Sequence, residues 1–433
     1  MGDDFDAIVV GAGMAGSAAA IRLAQGGANV LLLERGVEPG TKNLSGGVLW
    51  GNDLARILPR WTEEMPLERH LVRKRFGFLT AESAVSFDLD DGRWRRPPFA
   101  AHTVLRARTD AWLARQAEAA GVTVVPAVPV ERLAWDGAVV RGIVQGGETM
   151  TAPVTIVADG ANSRLALNTP IRPAPRLSPA ATELGIKEVY RLDEGRIEER
   201  FGVGPGEGHA EEWVTGVFPP GVMGGGFLYT NRDTVSVGVI LNLQSLFGRG
   251  TPSHELIERF RLHPAIAPRL AGAELVEYGA KLISSGWASR PAAFHGDGWM
   301  VVGDAAGFVF SNGLVIQGMN YAIRSGLEAA ETALGARAAH DASAARLADY
   351  DRRLEQTGIL SDFRDFEPAD RVKWNPRFHT AYPAFAAELF HALMSEGGGR
   401  KEHLRRIARK AQRAAGLSTA TIAQDGLSFL RHL

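Results

Sequence analysis

Short unbroken runs of apolar residues mark the N-terminal part of the chain. Residues 7–10 (AIVV) and 29–34 (NVLLLE) carry the continuous hydrophobicity of parallel strands that are buried on both faces. The alanine-rich segment between them reaches Gln25 and meets Gly26-Gly27, a pair that ends helices. The order strand, helix, strand predicts a βαβ unit at the start of the chain.

The same alternation of strands and helices continues to about residue 160. A helix is predicted from residue 109 to about residue 120, with Asp110 in its first turn and Gly121 as its stop. Apolar runs predict further strands at 122–125, 139–144 and 154–158.

From about residue 180 to residue 285 the pattern changes. Stretches that alternate or are rich in aromatic residues are separated by Gly, Pro and Asn-Arg-Asp turns, which predicts a largely antiparallel sheet with strands at 185–190, 212–218, 226–229 and 234–241. We interpret this region as a separate lobe, joined by residues 72–88. The chain returns to the first domain at about Trp287, and from Met319 onward the spacing is helical.

The segment Gly11-Ala12-Gly13-Met14-Ala15-Gly16 joins the first strand to the first helix. Gly11 permits a tight turn, Gly13 lets the backbone approach a pyrophosphate, and Gly16 allows the helix to pack closely on the sheet. The helix N-terminus offers free N–H groups to the phosphates. Glu34 ends the next strand, where its carboxylate can accept from a ribose 2′-hydroxyl and would repel a 2′-phosphate. The motif predicts a pyrophosphate site that disfavours NADP.

A second glycine motif, Gly303-Asp304-Ala305-Ala306-Gly307, follows a predicted strand at 299–302. Gly303 leaves room beside a ribityl chain, and Asp304 can accept a hydrogen bond from a ribityl hydroxyl. Residues 313–320 (GLVIQGMN) then lead into a helix whose N-terminus would stabilise a reduced flavin ring. Two approaches to one nucleotide predict FAD held along its whole length.

Two further groups near these motifs have open interpretations. Asp159-Gly160 ends a strand and suits a strand-to-helix turn beside a cofactor, but Asp159 could instead only cap the turn. Arg106 and Arg108 precede the predicted helix at residue 109. Arg106 is a candidate phosphate or adenosine contact, and a surface arginine pair is the alternative.

These elements predict an α/β fold with three parts. A discontinuous Rossmann-type FAD-binding domain takes residues 1–72, 98–175 and 287–340. An antiparallel-sheet lobe for substrate or quinone takes residues 73–97 and 176–286, and a helical C-terminal region takes residues 341–433. The flavin would carry the chemistry, so no catalytic side chain and no metal site are predicted.

Composition narrows the possible partners. The 48 basic and 49 acidic residues give a formal net charge of -1, without the basic excess that a nucleic-acid partner requires. The chain has no cysteine, which excludes disulfides and cysteine-ligated clusters within it. Asp3, Asp4 and Asp6 precede the first apolar run, where a secretory signal needs positive charge. We expect a cytoplasmic protein, able to contact the inner face of the membrane.

The three elements Gly11 to Gly16, Asp159-Gly160 and Gly303-Asp304 resemble those of the glutathione-reductase-2-type flavoproteins, which include geranylgeranyl reductases. More narrowly, residues 40–47 (GTKNLSGG), 78–85, 223–231 and 263–266 resemble the FixC family, relatives of electron-transfer flavoprotein:quinone oxidoreductase. With the motifs above, this resemblance implies the following FAD contacts: Gly11, Gly13, Ala15, Gly16, Glu34, Arg35, Lys42, Asn43, Ser45, Gly46, Gly47, Arg106, Val128, Ala158, Asp159, Gly160, Gly303, Asp304, Gly313, Gln317, Gly318, Met319 and Asn320.

The resemblance implies a redox relay. Electrons would arrive from an electron-transfer flavoprotein and leave towards quinone or another lipophilic small molecule, with a ferredoxin-like iron–sulfur subunit as a further partner. A flavin reductase or monooxygenase acting on a lipid or polyketide-like substrate is the alternative, and a flavin-bearing structural subunit is a third. Residues 317–320 (QGMN) depart from the FixC pattern and are similar to the helix start of aromatic hydroxylases, although Gly307 and Phe308 replace the hydroxylase His and Pro.

A basic amphipathic segment lies near the end of the chain. Residues 400–413 (RKEHLRRIARKAQR) carry seven basic residues against Glu402, with an apolar stripe at helical spacing. Such a helix can lie on an anionic membrane or dock an acidic partner. The alternative is a solvated helix packed on the core by its stripe.

Overall fold

The computed structural model describes residues 3–43, 46–174, 176–396 and 399–432. The strands are β1 Ala7–Val10, β2 Val30–Leu33, β3 Gly47–Leu49, β4 His70–Leu79, β5 Ala84–Asp90, β6 His102–Val104, β7 Thr123–Val125, β8 Arg132–Asp136, β9 Val139–Gln145, β10 Glu148–Thr151, β11 Val154–Val157, β12 Thr182–Arg191, β13 Glu207–Thr215, β14 Gly224–Thr230, β15 Thr234–Asn242, β16 Glu274–Ser284, β17 His295–Gly296, β18 Trp299–Val301, β19 Phe310–Ser311 and β20 Ile316–Gln317.

Helices lie between strands as far as Arg261, and from Met319 onward helices make up the C-terminal region. They are α1 Met14–Gln25, α2 Trp61–Glu64, α3 Arg106–Ala119, α4 Glu194–Phe201, α5 Leu243–Leu246, α6 Ser253–Arg261, α7 Met319–Ala339, α8 Ala344–Leu347, α9 Asp349–Gln356, α10 Ile359–Asp365, α11 Ala369–Lys373, α12 Ala381–Met394, α13 Leu404–Ala414 and α14 Thr419–His432.

A six-stranded sheet forms the first domain, in the order β17-β18-β11-β1-β2-β7. All pairs except β17 with β18 are parallel. The four residues of β1, of β2 and of β11 are all buried, because α1 packs against β1 and β2, and β9, from a separate three-stranded sheet β10-β9-β8, packs against β11. The predicted βαβ unit is confirmed, and the strand at 154–158 pairs directly with the first strand.

Small residues let two helices pack very closely beside this sheet. A Cβ atom at Gly326 of α7 would overlap the carbonyl oxygen of Ala15 in α1. A Cβ atom placed at Gly303, its would-be Cβ, would lie 3.0 Å from the Cβ atom of Ala15 and 3.4 Å from that of Ala322. A side chain at residue 303 would be tight against α1 and α7, and the φ of +58° also favours glycine there, a packing role that was not predicted from the sequence.

A larger, nine-stranded sheet forms the lobe, with the path β16-β12-β15-β14-β13-β4-β6-β3 and β5 paired to β4. Apart from the parallel pair of β13 with β4, its pairs are antiparallel. One face packs on Leu256, Ile257 and Phe260 of α6, where Ile186, Val237 and Val239 belong to the same apolar core. The residues that alternate with these point the opposite way, towards the first domain.

Four details differ from the sequence-based expectations. The helix expected at residue 109 begins at Arg106, so Arg106 and Arg108 lie in its first turn instead of before it. The strand expected at 212–218 runs from Glu207 to Thr215. Asp159-Gly160 leads into a turn without a following helix. Strands β3 and β6 pair within the lobe's sheet although the prediction assigned their residues to the FAD-binding domain, because only the fold shows which edge they join.

The basic segment near the end of the chain contains α13, as its periodicity predicts. Ile407 and Ala411 are buried against the rest of the protein, whereas Leu404 is exposed. Part of the apolar stripe therefore packs inwards. Among the described helices, none is long and apolar enough to cross a membrane.

Candidate functional site

Four motifs follow the carboxyl ends of four neighbouring strands. In the order β18-β11-β1-β2 these ends lead into Gly303-Asp304, Asp159-Gly160, the turn at Gly11 and Glu34. Ligands of open parallel sheets bind outside the carboxyl ends of the strands. The fold therefore gathers motifs that are almost three hundred residues apart in the sequence.

The first turn has the geometry of a pyrophosphate site. Gly11 has φ +108°, and a Cβ atom there would overlap the carbonyl oxygen of Ala158. A Cβ atom at Gly16 would overlap the carbonyl oxygen of Gly11. Gly13, in contrast, has open space: the nearest atom to its would-be Cβ is Nη2 of Arg106, at 3.6 Å. Gly11 and Gly16 are fixed by protein packing, and Gly13 is the position left free for a ligand.

Glu34 holds the glycine turn together. Its Oε2 atom accepts from the N–H of Ala12 at 3.0 Å, and its Oε1 atom accepts from the N–H of Gly36 at 2.7 Å. Its backbone oxygen accepts from the N–H of Val128 at 2.8 Å, which places Val128 beside the same strand end. The carboxylate is half-buried and stays at the edge of the site, as an acceptor for ribose hydroxyls would.

Asp304 lies between the sheet and the start of α7. Its Oδ1 atom is 3.9 Å from the would-be Cβ of Gly318, the residue that precedes the helix. Its backbone oxygen accepts from Ser284, but its carboxylate makes no hydrogen bond among the described residues. A half-buried carboxylate without a donor at a helix start fits a ligand hydroxyl.

Charged side chains from distant segments converge around Asn43. Arg106 makes two hydrogen bonds, each 2.8 Å long, to the buried carboxylate of Asp110, which also accepts from the Asn43 amide. The Nζ atom of Lys281, on β16, donates to Asn43 Oδ1 at 2.8 Å and lies 4.0 Å from the would-be Cβ of Gly160. Asn43 thus joins the segment after β2 to α3 and to the lobe.

Burial and charge act against each other in this cluster. Burial lowers the pKa of Arg106, but the Asp110 carboxylate outweighs it and the pKa is raised overall. Burial lowers the pKa of Lys281, opposed by Asp304. Burial raises the pKa of Asp159 to about 6, opposed by the N–H of Leu165, which donates to its Oδ2 atom at 3.0 Å. The buried positive charges of Arg106 and Lys281 would favour the binding of an anionic ligand beside them.

An apolar cavity of about 350 Å³ lies between the lobe's sheet and the C-terminal helices. Aromatic rings make much of its wall, and Phe227 and Tyr229 on β14 stack with ring centroids 4.9 Å apart. Gly313 and Ile316, just before α7, also line it. Glu212 is its acidic member: burial raises the pKa of this carboxyl, opposed by Lys74, whose Nζ atom lies 3.1 Å away.

The remaining predicted contacts fall into three groups. Met319 begins α7 with its Cε atom 3.0 Å from the would-be Cβ of Gly47, and Asn320 donates to Gln317 at 3.1 Å, so this helix start meets the segment after β2. Arg35 and Lys42 are solvent-exposed. Ser45 lies outside the described residues.

Sequence reasoning missed several site residues. Asp110 lies four positions after Arg106, the spacing of a helical ion pair, which was a usable signal. Lys281 stands in β16, a strand that was not predicted, and a lysine between apolar neighbours in a strand is unusual. The cavity aromatics are too far apart in the sequence to be recognised as a group.

The residues present fit FAD. Gly13 is open at a helix N-terminus, Arg106 lies beside it, and the Asp304 carboxylate and the buried Oδ1 atom of Asp159 lack hydrogen-bond donors among the described residues. A pyrophosphate can accept hydrogen bonds from the helix N-terminus at Gly13 and from Arg106. Ribityl hydroxyls can donate hydrogen bonds to the carboxylates of Asp304 and Asp159. Within the same residues, no cluster of His, Asp and Glu is arranged to hold a metal ion.

Comparisons with known proteins identify the chain's family and its cofactor. A family model described as FAD dependent oxidoreductase matches residues 6–94, and one described as ETF-QO, ubiquinone-binding, matches residues 182–283. The chain is 38% identical over 426 residues to the probable electron transfer flavoprotein-quinone oxidoreductase YdiS of Escherichia coli K12, with 98% of each chain covered. It is 37% identical over 429 residues to the protein FixC of Escherichia coli O157:H7, with 99% of each covered.

Solved structures share the fold at lower identity. A geranylgeranyl bacteriochlorophyll reductase-like protein from Thermoplasma acidophilum aligns with a TM-score of 0.70 and 19% identity, covering 98% of this chain and 99% of that one. The flavin-dependent brominase Bmp2 aligns with a TM-score of 0.62 and 18% identity, covering 98% of both chains. The full-length identity to YdiS and FixC shows that this chain is an FAD-dependent oxidoreductase and belongs to the family of FixC proteins and electron transfer flavoprotein-quinone oxidoreductases.

Proposed function

We propose that this protein accepts electrons from an electron-transfer flavoprotein and passes them through FAD to quinone. The observation that carries the proposal is that the apolar cavity is lined both by the lobe's sheet and by the segment that leads into α7. Gly313, Leu314 and Ile316 bring the segment before α7 into that wall, and β14 and β15 supply the opposite side. An apolar acceptor there would lie beside the helix start that meets the FAD segment at Gly47.

The chain's own residues have clear tasks in this function. The turn at Gly13 and the Arg106 guanidinium would bind the pyrophosphate, and Asp304 would accept from the ribityl chain. The aromatic wall would exclude water from a quinone ring, since apolar surfaces with few polar groups favour such ligands. Bound FAD supplies the electron relay. Any iron–sulfur cluster would belong to a separate ferredoxin-like subunit, because this chain has no cysteine ligand.

Anaerobic stopped-flow spectroscopy tests the proposal. We expect a reduced electron-transfer flavoprotein to bleach the flavin of the purified, FAD-loaded protein, and a short-chain ubiquinone to restore it. NADH and NADPH should bleach it at least about a hundredfold more slowly, because the proposed relay binds one dinucleotide, FAD, and takes its electrons from the flavoprotein. Fast reduction by NAD(P)H together with no reduction by the flavoprotein would instead support the reductase or monooxygenase alternative.

We further propose that the cavity mouth contacts an anionic membrane. Phe87 and Leu314 line the cavity and are themselves exposed. The C-terminal helices also leave large apolar side chains in solvent: Phe390, Leu393, Met394, Leu404, Leu427 and Leu430. Helix α13 adds Arg405, Arg406 and Arg409. Apolar and basic groups together are the features of a helix that lies on a membrane surface.

Reversing charge on α13 should release the protein from anionic vesicles. Each basic residue contributes about 1 kcal/mol near such a surface, so Arg405, Arg406 and Arg409 all changed to Glu should lower the bound fraction at least about tenfold. Co-sedimentation with phosphatidylserine vesicles measures this. The matched control reverses three exposed arginines elsewhere, Arg115, Arg132 and Arg141. Equal binding of both triple variants would contradict the membrane contact.

A further inference from the structure

Lys187 is a buried lysine that has no role in the FAD site or the cavity described above. It lies in β12, and its side chain is 2% exposed. Its neighbour Ile186 belongs to the lobe core, so Lys187 points the other way, towards the first domain. The residues opposite it on the adjacent strands are Gly238 of β15 and Gly279 of β16. Neither offers a side chain that could pair with the amine.

The Nζ atom has no hydrogen-bond partner within the part of the chain that the structure describes. It lies over the rings of Phe227 and Tyr229, 5.6 and 6.0 Å from their centroids. Such contacts with aromatic rings favour the charged form, yet they replace little of the hydration that a buried ammonium loses. A lysine kept in this state is costly, and it needs a reason beyond stability.

The other side of the amine faces the segment predicted to bind FAD. A Cβ atom at Gly46 would overlap Nζ and lie 3.1 Å from Cε of Lys187 and 2.6 Å from Oγ of Ser236. The next residue, Gly47, meets Met319 at the start of α7. Lys187 therefore lies between the Gly46-Gly47 backbone and the stacked rings that wall the apolar cavity.

Burial and the charged groups around Lys187 bring the pKa of its amine close to neutral pH. Burial lowers its pKa to about 7; Glu277 on β16 opposes this and Arg106 on α3 adds to it. Lys281, also on β16, is a further cation of this region. Tyr229 on β14 cannot serve as a counter-ion, because burial and Glu212 raise its pKa well above its usual value. The faces from β15 and from Gly46 present no ionisable group among the described residues.

We propose that Lys187 is a charge-compensating residue, which binds a proton from solvent when the neighbouring FAD is reduced and releases it when the FAD is reoxidised. Two electrons add negative charge to the cofactor, and an ammonium group behind Gly46 would stabilise that charge. The electrons come from the reductant, the proton comes from water, and both leave when electrons pass to the acceptor. Lys187 acts on the flavin electrostatically, through space, and contacts neither the electron donor nor the electron acceptor.

Counting protons during reduction tests this inference, which rests on the FAD-dependent redox function but not on the identity of donor or acceptor. The FAD-loaded protein is photoreduced in weakly buffered solution with a pH-indicator dye, from about pH 7 to about pH 10, a range chosen because a nearby anion raises the pKa of a lysine. Part of this range should show up to one extra proton per two electrons in the wild type, compared with both Lys187→Met and Lys187→Arg. The flavin midpoint potential should accordingly fall more steeply with pH in the wild type.

The two variants separate this role from a structural one. Lys187→Met removes an unpaired buried charge and keeps the volume, so it should fold and retain FAD. Lys187→Arg stays charged at every pH tested and should have a higher midpoint potential than Lys187→Met. The inference is overturned if the wild type takes up no more protons than Lys187→Arg anywhere in the range. Because photoreduction needs neither flavoprotein nor quinone, that result would leave the proposed function standing.

Discussion

Replacing Gly11 by Ala is expected to destabilise the FAD-free protein by at least about 3 kcal/mol. A left-handed backbone costs an L-residue about 1–2 kcal/mol, and here φ is +108°. The new Cβ atom would also overlap the carbonyl oxygen of Ala158 and lie 2.8 Å from its carbonyl carbon. Both strands are buried in the sheet and cannot move apart cheaply. Urea unfolding of the FAD-free protein, followed by circular dichroism, measures the loss.

Gly13→Ala is the matched control, two residues away in the same turn. Its backbone, with φ -79° and ψ -174°, is open to any residue, and the only atom near the new Cβ is Nη2 of Arg106 at 3.6 Å. Stability without FAD should fall by less than about 1 kcal/mol, the range of an N-cap change. FAD affinity should fall at least about tenfold, because the methyl group takes the place of the pyrophosphate. Unchanged FAD affinity in Gly13→Ala would show that the pyrophosphate does not bind at this turn.

Filling the apolar cavity is expected to slow electron transfer to quinone at least about tenfold while FAD reduction continues. Ile240 on β15 lines the cavity, opposite Gly185 and Gly225 on the neighbouring strands, and a larger side chain at this position would extend into the cavity. The indole ring would occupy space that the quinone needs, so Ile240→Trp should lower the rate with quinone at least about tenfold, equivalent to about 1.4 kcal/mol of acceptor binding. Steady-state reduction of a short-chain ubiquinone, with a reduced electron-transfer flavoprotein as donor, measures the effect.

Two comparisons make this result specific to the cavity. Ile240→Val keeps an apolar β-branched residue and removes one methylene, so its quinone rate should stay within about threefold of the wild type. A soluble dye acceptor that does not enter the cavity should be reduced at the same rate by Ile240→Trp and by the wild type. If the tryptophan variant reduces quinone normally, the acceptor site lies elsewhere.

FAD as the cofactor could be predicted because the signals for it are local. A glycine turn between a buried strand and a helix, or a Gly-Asp pair after another strand, needs only a few consecutive residues to be recognised. The structure adds the reasons for particular glycines: Gly11 and Gly16 are enforced by backbone contacts, Gly303 is favoured by its positive φ and by tight packing against α1 and α7, and Gly13 is left open.

Boundaries and side-chain partners were less predictable. The helix that contains Arg106 begins three residues earlier than its pattern indicates, because the Arg106–Asp110 ion pair stabilises the first turn. The start of β13 and the pairing of β3 with β6 depend on neighbouring strands that are distant in the sequence.

The sequence by itself determined the α/β class, the βαβ unit and the FAD motifs, since these depend on local hydrophobic periodicity and on glycine at particular turns. Only the tertiary structure decided which charges share one environment. Lys281 reaches Asn43 across 238 positions, and Lys187 lies without a hydrogen-bond partner, within the described chain, between Gly46 and the aromatic wall. Burial and partners set the pKa of such groups, and both arise only when the lobe's sheet closes over the first domain.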